Sequence, residues 1–334
     1  MALAKRITRK TAIMIVLGFA LSAIFLWAAF NQVNAREFFH TLSMVTVWPL
    51  VLVALAMVLG MFLRAVRWRL LSGERPEMQR FFTSATILGV FFNFIFPARA
   101  GELIRIALLH KLLRTPLSRV ISSSFADRVT DVLVLASTAS GLYLFTPIGN
   151  LIGGWLSSLV LFIGVIALVV VVTSRRVALG QFIARRLMSN WHLRWPTHTL
   201  NFLGKLRADL GRCFRRTLSI KIIALIILVL GNDYLIITAI FGAFSLNLPS
   251  SAPLVLWVFF AAGSALPSAP GYVGIYQLAA VWALSLYETP AAIAVGVATV
   301  IQVMTLVVGG VSAGIALLRI KHRHSIVGEE LPLL

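Results

Sequence analysis

The chain has 334 residues, of which 59% are hydrophobic and 12% are charged, and its mean hydropathy is +0.93. Soluble domains carry about 25% charged residues, so this composition excludes a soluble domain and predicts an integral membrane protein. The net charge of +19 does not indicate nucleic-acid binding, because the basic residues cluster beside apolar spans, as the positive-inside rule predicts. The single cysteine, Cys213, excludes a disulfide framework.

Apolar segments of about 20 residues, the length that crosses a bilayer, recur along the chain. The first follows the basic residues 5–10 and is longer than the apolar region of a signal peptide, about 7–15 residues, which predicts an uncleaved span. Six full spans are predicted, at residues 11–31, 46–71, 118–146, 152–173, 220–245 and 290–318. The basic residues then place both termini in the cytoplasm, together with a basic amphipathic connector at 174–219 and a tail at 319–334.

Two further apolar segments, 82–111 and 252–287, are interrupted near their middle by proline, glycine and polar residues. Hydrocarbon cannot satisfy exposed backbone groups, so such breaks survive only when they are buried in protein or line a wet cavity. Basic clusters on both sides of 82–111 predict a re-entrant hairpin from the cytoplasmic face, with one kinked span as the alternative. The segment 252–287 is then a re-entrant hairpin from the outer face.

The two halves of this topology correspond in order and are reversed in direction. The second and third spans flank the first hairpin, and the fifth and sixth spans flank the second. Pro97 precedes Gly101 by four residues, as Pro270 precedes Gly274. The predicted fold is therefore an all-α polytopic membrane protein with six full transmembrane helices, two oppositely inserted re-entrant helical hairpins and an inverted-topology repeat. Paired interruptions of this kind point to the substrate site of a transporter.

Charged side chains inside a membrane cost at least about 2.5–3.5 kcal/mol each on insertion scales, so they are functional candidates. Those predicted at membrane depth are Arg99, Glu102, Arg105, Asp127, Arg128, Asp131 and Asp233. We expect Arg99 and Arg105 to pair with the nearby carboxylates and to hold an anionic headgroup phosphate, whose oxygens match the guanidinium fork. Two alternatives stay open: a purely structural ion-pair network, and a cationic headgroup or proton at the aspartates.

Two further candidates, Asn93 and Gly101, belong to the first hairpin, and Asp233 belongs to the fifth span. Asn93, on the first half of the first hairpin, is expected either to cap the break or to contact the headgroup. Gly101 lies at the start of the second half-helix, where backbone N–H groups and the positive dipole end favour an anion. Asp233, in the fifth span, is interpreted as a helix-packing residue or as a coupling residue.

The second hairpin contributes four candidate residues. Pro270 and Gly271 end one half-helix, and Gly274 permits close approach of the backbone to a ligand or a partner segment. Gln277 is a polar group at membrane depth without an obvious local partner. We expect this break to gate the outer side of the site.

Motifs for enzyme chemistry are scarce in the sequence. It contains no P-loop, no dinucleotide fingerprint and no zinc-protease motif, so neither a cofactor nor a metal site is expected. Asp127 and Asp131 beside Arg128 would make a poor cage for a cation. The prediction is that the chain is not an enzyme, and an embedded lipid-headgroup transferase is the less favoured alternative.

Three blocks, at residues 93–105, 126–131 and 270–277, resemble flippase-like membrane proteins related to the transmembrane region of lysylphosphatidylglycerol synthases. The resemblance extends over roughly residues 11–320. This sequence has Asp127 and Gln277 where such proteins often have Glu, which puts any proton or cation role of position 277 in doubt. The soluble aminoacyl-transferring domain of those synthases is absent here, so the resemblance implies movement of a lipid and not lysyl transfer.

The expected function is that of a lipid translocase, moving a phospholipid or another anionic amphiphile between leaflets of the inner (plasma) membrane. The expected partners are membrane lipids with an anionic headgroup, and no binding of nucleic acid is expected. A second copy of the chain, in a homo-oligomer, and an envelope-biosynthesis protein are further possible partners. The main alternative is a membrane scaffold or accessory subunit of lipid or cell-envelope biosynthesis that transports nothing.

Overall fold

A computed structural model describes residues 20, 22–31, 33–96, 100–145, 197–217, 219–264 and 270–327. All regular elements within these residues are helical, and no strand occurs among them. The predicted span 152–173 lies outside the described residues, as do most of the connector 174–219, the first part of span 11–31, the end of the tail and Arg99.

Within the described residues, segment 22–30 is helical and is followed by a series of α-helices. These helices are α1 Ala35–Ser43, α2 Trp48–Ser72, α3 Gln79–Ile95, α4 Ala100–Leu113, α5 Leu117–Phe145, α6 Thr197–Thr217, α7 Ile220–Ala243, α8 Ala252–Gly263, α9 Ile275–Ser285 and α10 Ala291–Val327. Short 3-10 helices precede α3 and α9, at Pro76–Met78 and Pro270–Tyr272. Each of the two interrupted segments therefore consists of two helices separated by a break, α3 with α4 and α8 with α9.

Three helices of the described chain are long and apolar enough to cross a membrane, at Trp48–Ser72, Ile220–Ala243 and Ala291–Lys321. Helix α5 has 29 residues but is less apolar, because serine, threonine and charged residues interrupt its hydrophobic sequence. Helix α10 continues as helix beyond the predicted start of the tail at residue 319.

By its internal contacts the chain divides into two compact units. Unit 1 consists of Met1–Met61, Ser84–Arg105 and Asn232–Leu334, and unit 2 consists of Phe62–Thr83 and Ile106–Gly231. Helices α2, α3, α4 and α7 contribute residues to both units.

The second break shapes the packing of unit 1, where α9 lies against both α8 and α10. Three residues of the break have positive φ, at 73° for Gly271, 55° for Tyr272 and 86° for Gly274. The Tyr276 ring stacks on Phe260 with a centroid distance of 4.5 Å and on Tyr272 at 5.1 Å. The left-handed residues thus turn the chain sharply, and stacked aromatic rings cover the turn.

Unit 2 is organised by α5, which packs along α6. The hydroxyl of Ser118 donates to Asp209 at 2.9 Å, and that of Ser122 donates to the backbone oxygen of Leu206 at 3.1 Å. The Trp68 indole N–H of α2 donates to Ser123 at 3.0 Å. Small hydroxyl side chains on α5 therefore satisfy polar groups of the neighbouring helices while allowing close packing.

Helices α3 and α4 approach each other closely at Gly89 and Gly101 in unit 1. A Cβ atom on Gly101 would overlap the backbone oxygen of Gly89 and would lie 2.5 Å from the backbone nitrogen of Asn93. Backbone atoms cannot move aside as the end of a flexible side chain can. Glycine at residue 101 is therefore required for these two helices to pack as they do.

We predict that Gly101→Ala destabilises the folded protein by at least about 1–3 kcal/mol, the usual cost of overpacking, because the added methyl group meets backbone on the facing helix. The matched control is Gly314→Ala in α10, where an added Cβ meets no atom within 4 Å. The control should keep or raise the melting temperature, since alanine favours helix over glycine by about 1 kcal/mol. Thermal unfolding of both variants in one detergent measures the difference, and equal melting temperatures would contradict the observed packing.

Candidate functional site

A buried arginine joins α2 to α5 in unit 2. The Nε atom of Arg67 donates to Oδ1 of Asp127 at 2.8 Å, and its Nη2 atom donates to Oδ1 of Asp131 at 2.5 Å. The side chains of Arg67 and Asp127 are only 1% and 2% exposed. The two aspartates lie one helical turn apart on α5, so a single guanidinium fork reaches both.

The other side of the same carboxylates faces Arg128, also on α5. Its Nη1 atom lies 3.0 Å from Oδ2 of Asp131, and its Nη2 atom lies 3.6 Å from Oδ2 of Asp127. The side chains of Arg128 and Asp131 are 43% and 37% exposed. The four side chains, called here the α5 charge network, carry two positive and two negative charges, with a buried end at Arg67 and an exposed end at Arg128.

Arg67 is a residue that the sequence prediction missed, because it lies in the predicted span 46–71 and is not among the charges predicted at membrane depth. Arg105 pairs with Glu102, one of the nearby carboxylates, and Arg99 lies outside the described residues. In the structure the buried partner of both aspartates is Arg67. The sequence held one usable signal: two carboxylates one turn apart, with a single arginine between them, require a further cation for charge balance. That cation is difficult to identify from the sequence, because Arg67 lies in a run of arginines at the end of an apolar span. The positive-inside rule explains such a run without any buried ion pair.

The first hairpin holds a second polar group, in unit 1. The side-chain oxygen of Asn93 accepts a hydrogen bond from the backbone N–H of Glu102 at 3.2 Å, and its amide donates to Glu102 Oε1 at 3.3 Å. Glu102 Oε2 lies 2.8 Å from Nε of Arg105, whose side chain is 4% exposed. Asn93 thus caps the start of α4, which confirms one of its two predicted roles. Arg105 is nearly enclosed, and its predicted contact with a headgroup stays a prediction.

The second hairpin of unit 1 contains a chain of amide hydrogen bonds. The Gln277 side chain accepts from the backbone N–H of Gly274 at 2.8 Å and donates to Gln302 Oε1 at 2.6 Å. The amide of Gln302, on α10, donates in turn to the backbone oxygen of Gly271 at 2.8 Å. Gln277 therefore has local partners, and a neutral amide matches them because it must accept and donate at once.

Two further candidates in unit 1 have packing partners. A Cβ atom on Gly274 would overlap the backbone oxygen of Ser22 and would lie 2.9 Å from the backbone nitrogen of Leu26. The close approach at Gly274 is therefore to the helical segment 22–30. Asp233 accepts a hydrogen bond from the indole N–H of Trp257 at 3.1 Å, which is the geometry of a helix-packing residue. Pro270 is the first residue of the 3-10 helix that contains Gly271.

The α5 charge network gives a test of stability that needs no ligand. Arg67→Met should cost about 3–5 kcal/mol, because it leaves Asp127 buried without its principal cation. The double variant Arg67→Met, Asp127→Asn should recover most of that loss, since it removes both members of the buried pair. Thermal unfolding of the wild-type protein and the two variants in detergent provides the comparison. If the single variant unfolds at the wild-type temperature, the buried pair does not stabilise unit 2.

Comparison with known proteins agrees with the helical architecture and its candidate membrane spans. Residues 15–313 match the family described as the lysylphosphatidylglycerol synthase TM region. No curated protein and no solved structure matches the chain. The family match covers both interrupted segments and the α5 charge network. The chain therefore belongs to the lysylphosphatidylglycerol synthase TM region family of membrane proteins.

Proposed function

We propose that this protein is a lipid translocase that moves a phospholipid or another anionic amphiphile between the leaflets of the inner membrane. One observation carries the proposal: the exposed end of the α5 charge network, Arg128 with Asp131, held on the buried pair of Arg67 and Asp127. Neutralising buried charge does not by itself require an exposed guanidinium in the interior of a long helix.

The depth of this exposed pair supports the proposal. At about 1.5 Å per residue, Arg128 lies about 16 Å along α5 from Leu117, which is roughly half of a hydrocarbon core of about 30 Å. A charge facing lipid at that depth is costly, so such side chains face a water-filled cavity or protein. The side chain of Arg128 is 43% exposed, which leaves part of its surface for contact with a ligand.

The chemistry at the exposed end suits a phosphate. The planar guanidinium of Arg128 offers paired N–H groups, which match two oxygens of a phosphodiester. Asp131 holds that guanidinium in place before the lipid binds. An oxygen of the arriving phosphate then takes the place of an Asp131 carboxylate oxygen, which carries a similar charge. Arg67 stays bonded to both aspartates throughout, so the carboxylates keep a cation while Arg128 binds the lipid. The acyl chains remain in the bilayer while the headgroup crosses.

The two interrupted segments complete the proposal. We assign the α3–α4 pair to a re-entrant hairpin from the cytoplasmic face and the α8–α9 pair to one from the outer face, as an inverted repeat with both termini in the cytoplasm. Glu102, Arg105 and the neighbouring Arg99, which lies outside the described residues, would receive the headgroup at the first hairpin. The break at 270–274 would open and close the outer side of the site. The lipid would cross the membrane without chemical change.

The topology has a direct test with single cysteines in a Cys213→Ser background. Glu77→Cys and Pro116→Cys flank the α3–α4 pair at exposed positions, and we expect both to react with an impermeant thiol reagent from the cytoplasmic side only. Ser250→Cys and Thr289→Cys flank the α8–α9 pair, and both should react from the outside. Labelling of either pair from opposite sides would show that the segment crosses the membrane once.

The transport proposal is tested with purified protein in vesicles that contain a fluorescent phosphatidylglycerol. We expect the wild-type protein to bring the inner-leaflet fluorophore to the outer surface and Arg128→Gln to abolish this movement. The variant should fold, because a half-exposed ion pair contributes about 0–1 kcal/mol. The matched control is Arg36→Gln, an equal change of charge at an exposed position of α1, which should transport normally.

Three results would contradict the proposal in different ways. A wild-type protein that is folded and yet moves no more lipid than empty vesicles favours the scaffold alternative. Mass spectrometry of the same vesicles covers the transferase alternative, since a transferase changes the mass of the headgroup while a translocase leaves it unchanged. Normal transport by a folded Arg128→Gln protein would show that the α5 charge network is structural only.

A further inference from the structure

A cavity lined by three arginines lies in unit 2, at the end where α2 terminates and α5 begins. Its volume is about 170 Å³, several times the roughly 30 Å³ that a water molecule occupies in the liquid. The lining residues come from the end of α2, the first turn of α5 and the second half of α6: Ser72, Gly73, Arg119, Asp209, Arg212, Cys213 and Arg216. Arg119 lies about 14 Å along α5 from Arg128, so this cavity is separate from the exposed end of the α5 charge network.

The positive charge of the cavity is only partly neutralised by its neighbours. Arg212 pairs with Asp209, and Nη1 of Arg119 lies 3.3 Å from Glu74 Oε1. Arg216 donates from Nη1 to the backbone oxygen of Leu71 at 3.3 Å, and no carboxylate pairs with it among the described residues. Three arginines therefore line the cavity, and the described ion pairs supply two carboxylates to balance them.

The guanidinium of Arg216 lies against Gly73. Gly73 has a φ of 75°, and a Cβ atom there would overlap the Arg216 guanidinium. The guanidinium thus occupies the space that a side chain at residue 73 would fill, and it donates to the backbone oxygen of Leu71. Each guanidinium has five N–H donors, so the described bonds leave donors for an anion in the cavity.

We propose that this cavity binds a phosphate group, supplied either by the headgroup of an anionic phospholipid or by free phosphate. Arginine forks match phosphate oxygens in pairs, and three of them around one small cavity give a doubly charged oxyanion more contacts than a chloride ion finds. This end of unit 2 is also the end that the basic clusters assign to the cytoplasmic surface, where anionic headgroups gather. The site does not depend on the proposed translocation.

The single cysteine of the chain is a built-in reporter for the cavity. Cys213 is 2% exposed and lines the cavity beside Arg212 and Arg216. Burial raises the pKa of its thiol to about 11, so the thiol is protonated at neutral pH and is not itself a reactive group of the site. A phosphate in the cavity hinders access of a reagent to the sulfur and disfavours the thiolate by its negative charge. Both effects slow the attack of the thiolate on a methanethiosulfonate, which forms a mixed disulfide and releases methanesulfinate.

The experiment measures the rate at which a small methanethiosulfonate reagent modifies Cys213. One arm adds inorganic phosphate to the protein in a neutral detergent, with sodium chloride at equal ionic strength as the reference. The other arm compares nanodiscs of phosphatidylcholine with nanodiscs that also contain phosphatidylglycerol. We expect a slowing of about threefold at a phosphate concentration of twice the Kd. Slowing by inorganic phosphate alone identifies a free-phosphate site, and slowing by phosphatidylglycerol alone identifies a headgroup site.

The variants show whether the arginines cause the slowing. Arg216→Gln should lose it, and Arg212→Gln serves the same purpose if the first variant does not fold, because the Arg212 side chain is 52% exposed. The matched control is Arg215→Gln, an exposed arginine of the same helix outside the cavity lining, which should behave as the wild type. An unchanged rate with both probes in the wild-type protein overturns the proposal. So does full protection that persists in the folded Arg216→Gln or Arg212→Gln variant.

Discussion

The guanidinium of Arg67 has lost nearly all of its hydration, and its only compensation among the described contacts comes from the two aspartates of α5. Burying one charge of this kind without a partner costs several kcal/mol, so α2 and α5 must keep their register for unit 2 to remain folded. The same bonds fix the carboxylates that hold Arg128. The orientation of the exposed guanidinium is therefore determined by a residue on another helix.

Close backbone approach is the second constraint on the fold. Gly101 lets α3 and α4 touch through their backbones, and Gly274 lets the second break lie against the helical segment 22–30. The helix start beside each glycine is capped by a side chain: Asn93 of the facing helix accepts from Glu102 N–H, and Gln277 of the same helix accepts from Gly274 N–H. The described helix ends at the two breaks thus have hydrogen-bond partners, as irregular backbone inside a membrane protein requires.

Much of this could be predicted from the sequence, for identifiable reasons. Long apolar runs predict the membrane helices of α2, α7 and α10, and proline and glycine predict the two breaks. The i, i+3 spacing of Arg128 and Asp131 predicts their pairing, because neighbours on a helix face are set by local geometry. Partners distant in sequence could not be predicted in this way.

Arg67 shows that limit most clearly, since its role depends on which helices pack together and at what register. The amide chain from Gln277 to Gln302 is a second example, because each residue is an isolated polar group in the sequence and becomes a partner only in the folded unit. The cavity around Arg216 is a third. A basic helix predicts contact with an anionic surface, whereas three arginines around one cavity follow from the packing of α6 on α5 and the end of α2.

The proposed translocation requires that the exposed end of the α5 charge network faces water at membrane depth. It is tested by the reactivity of Val132→Cys, one turn beyond Arg128 on the same face of α5, in a Cys213→Ser background in liposomes. The reference is Leu228→Cys, at an exposed apolar position of the membrane helix α7. We expect a membrane-impermeant, charged methanethiosulfonate to modify residue 132 far faster than residue 228. Equally slow modification of both, with thiols that react fully after unfolding, would contradict it.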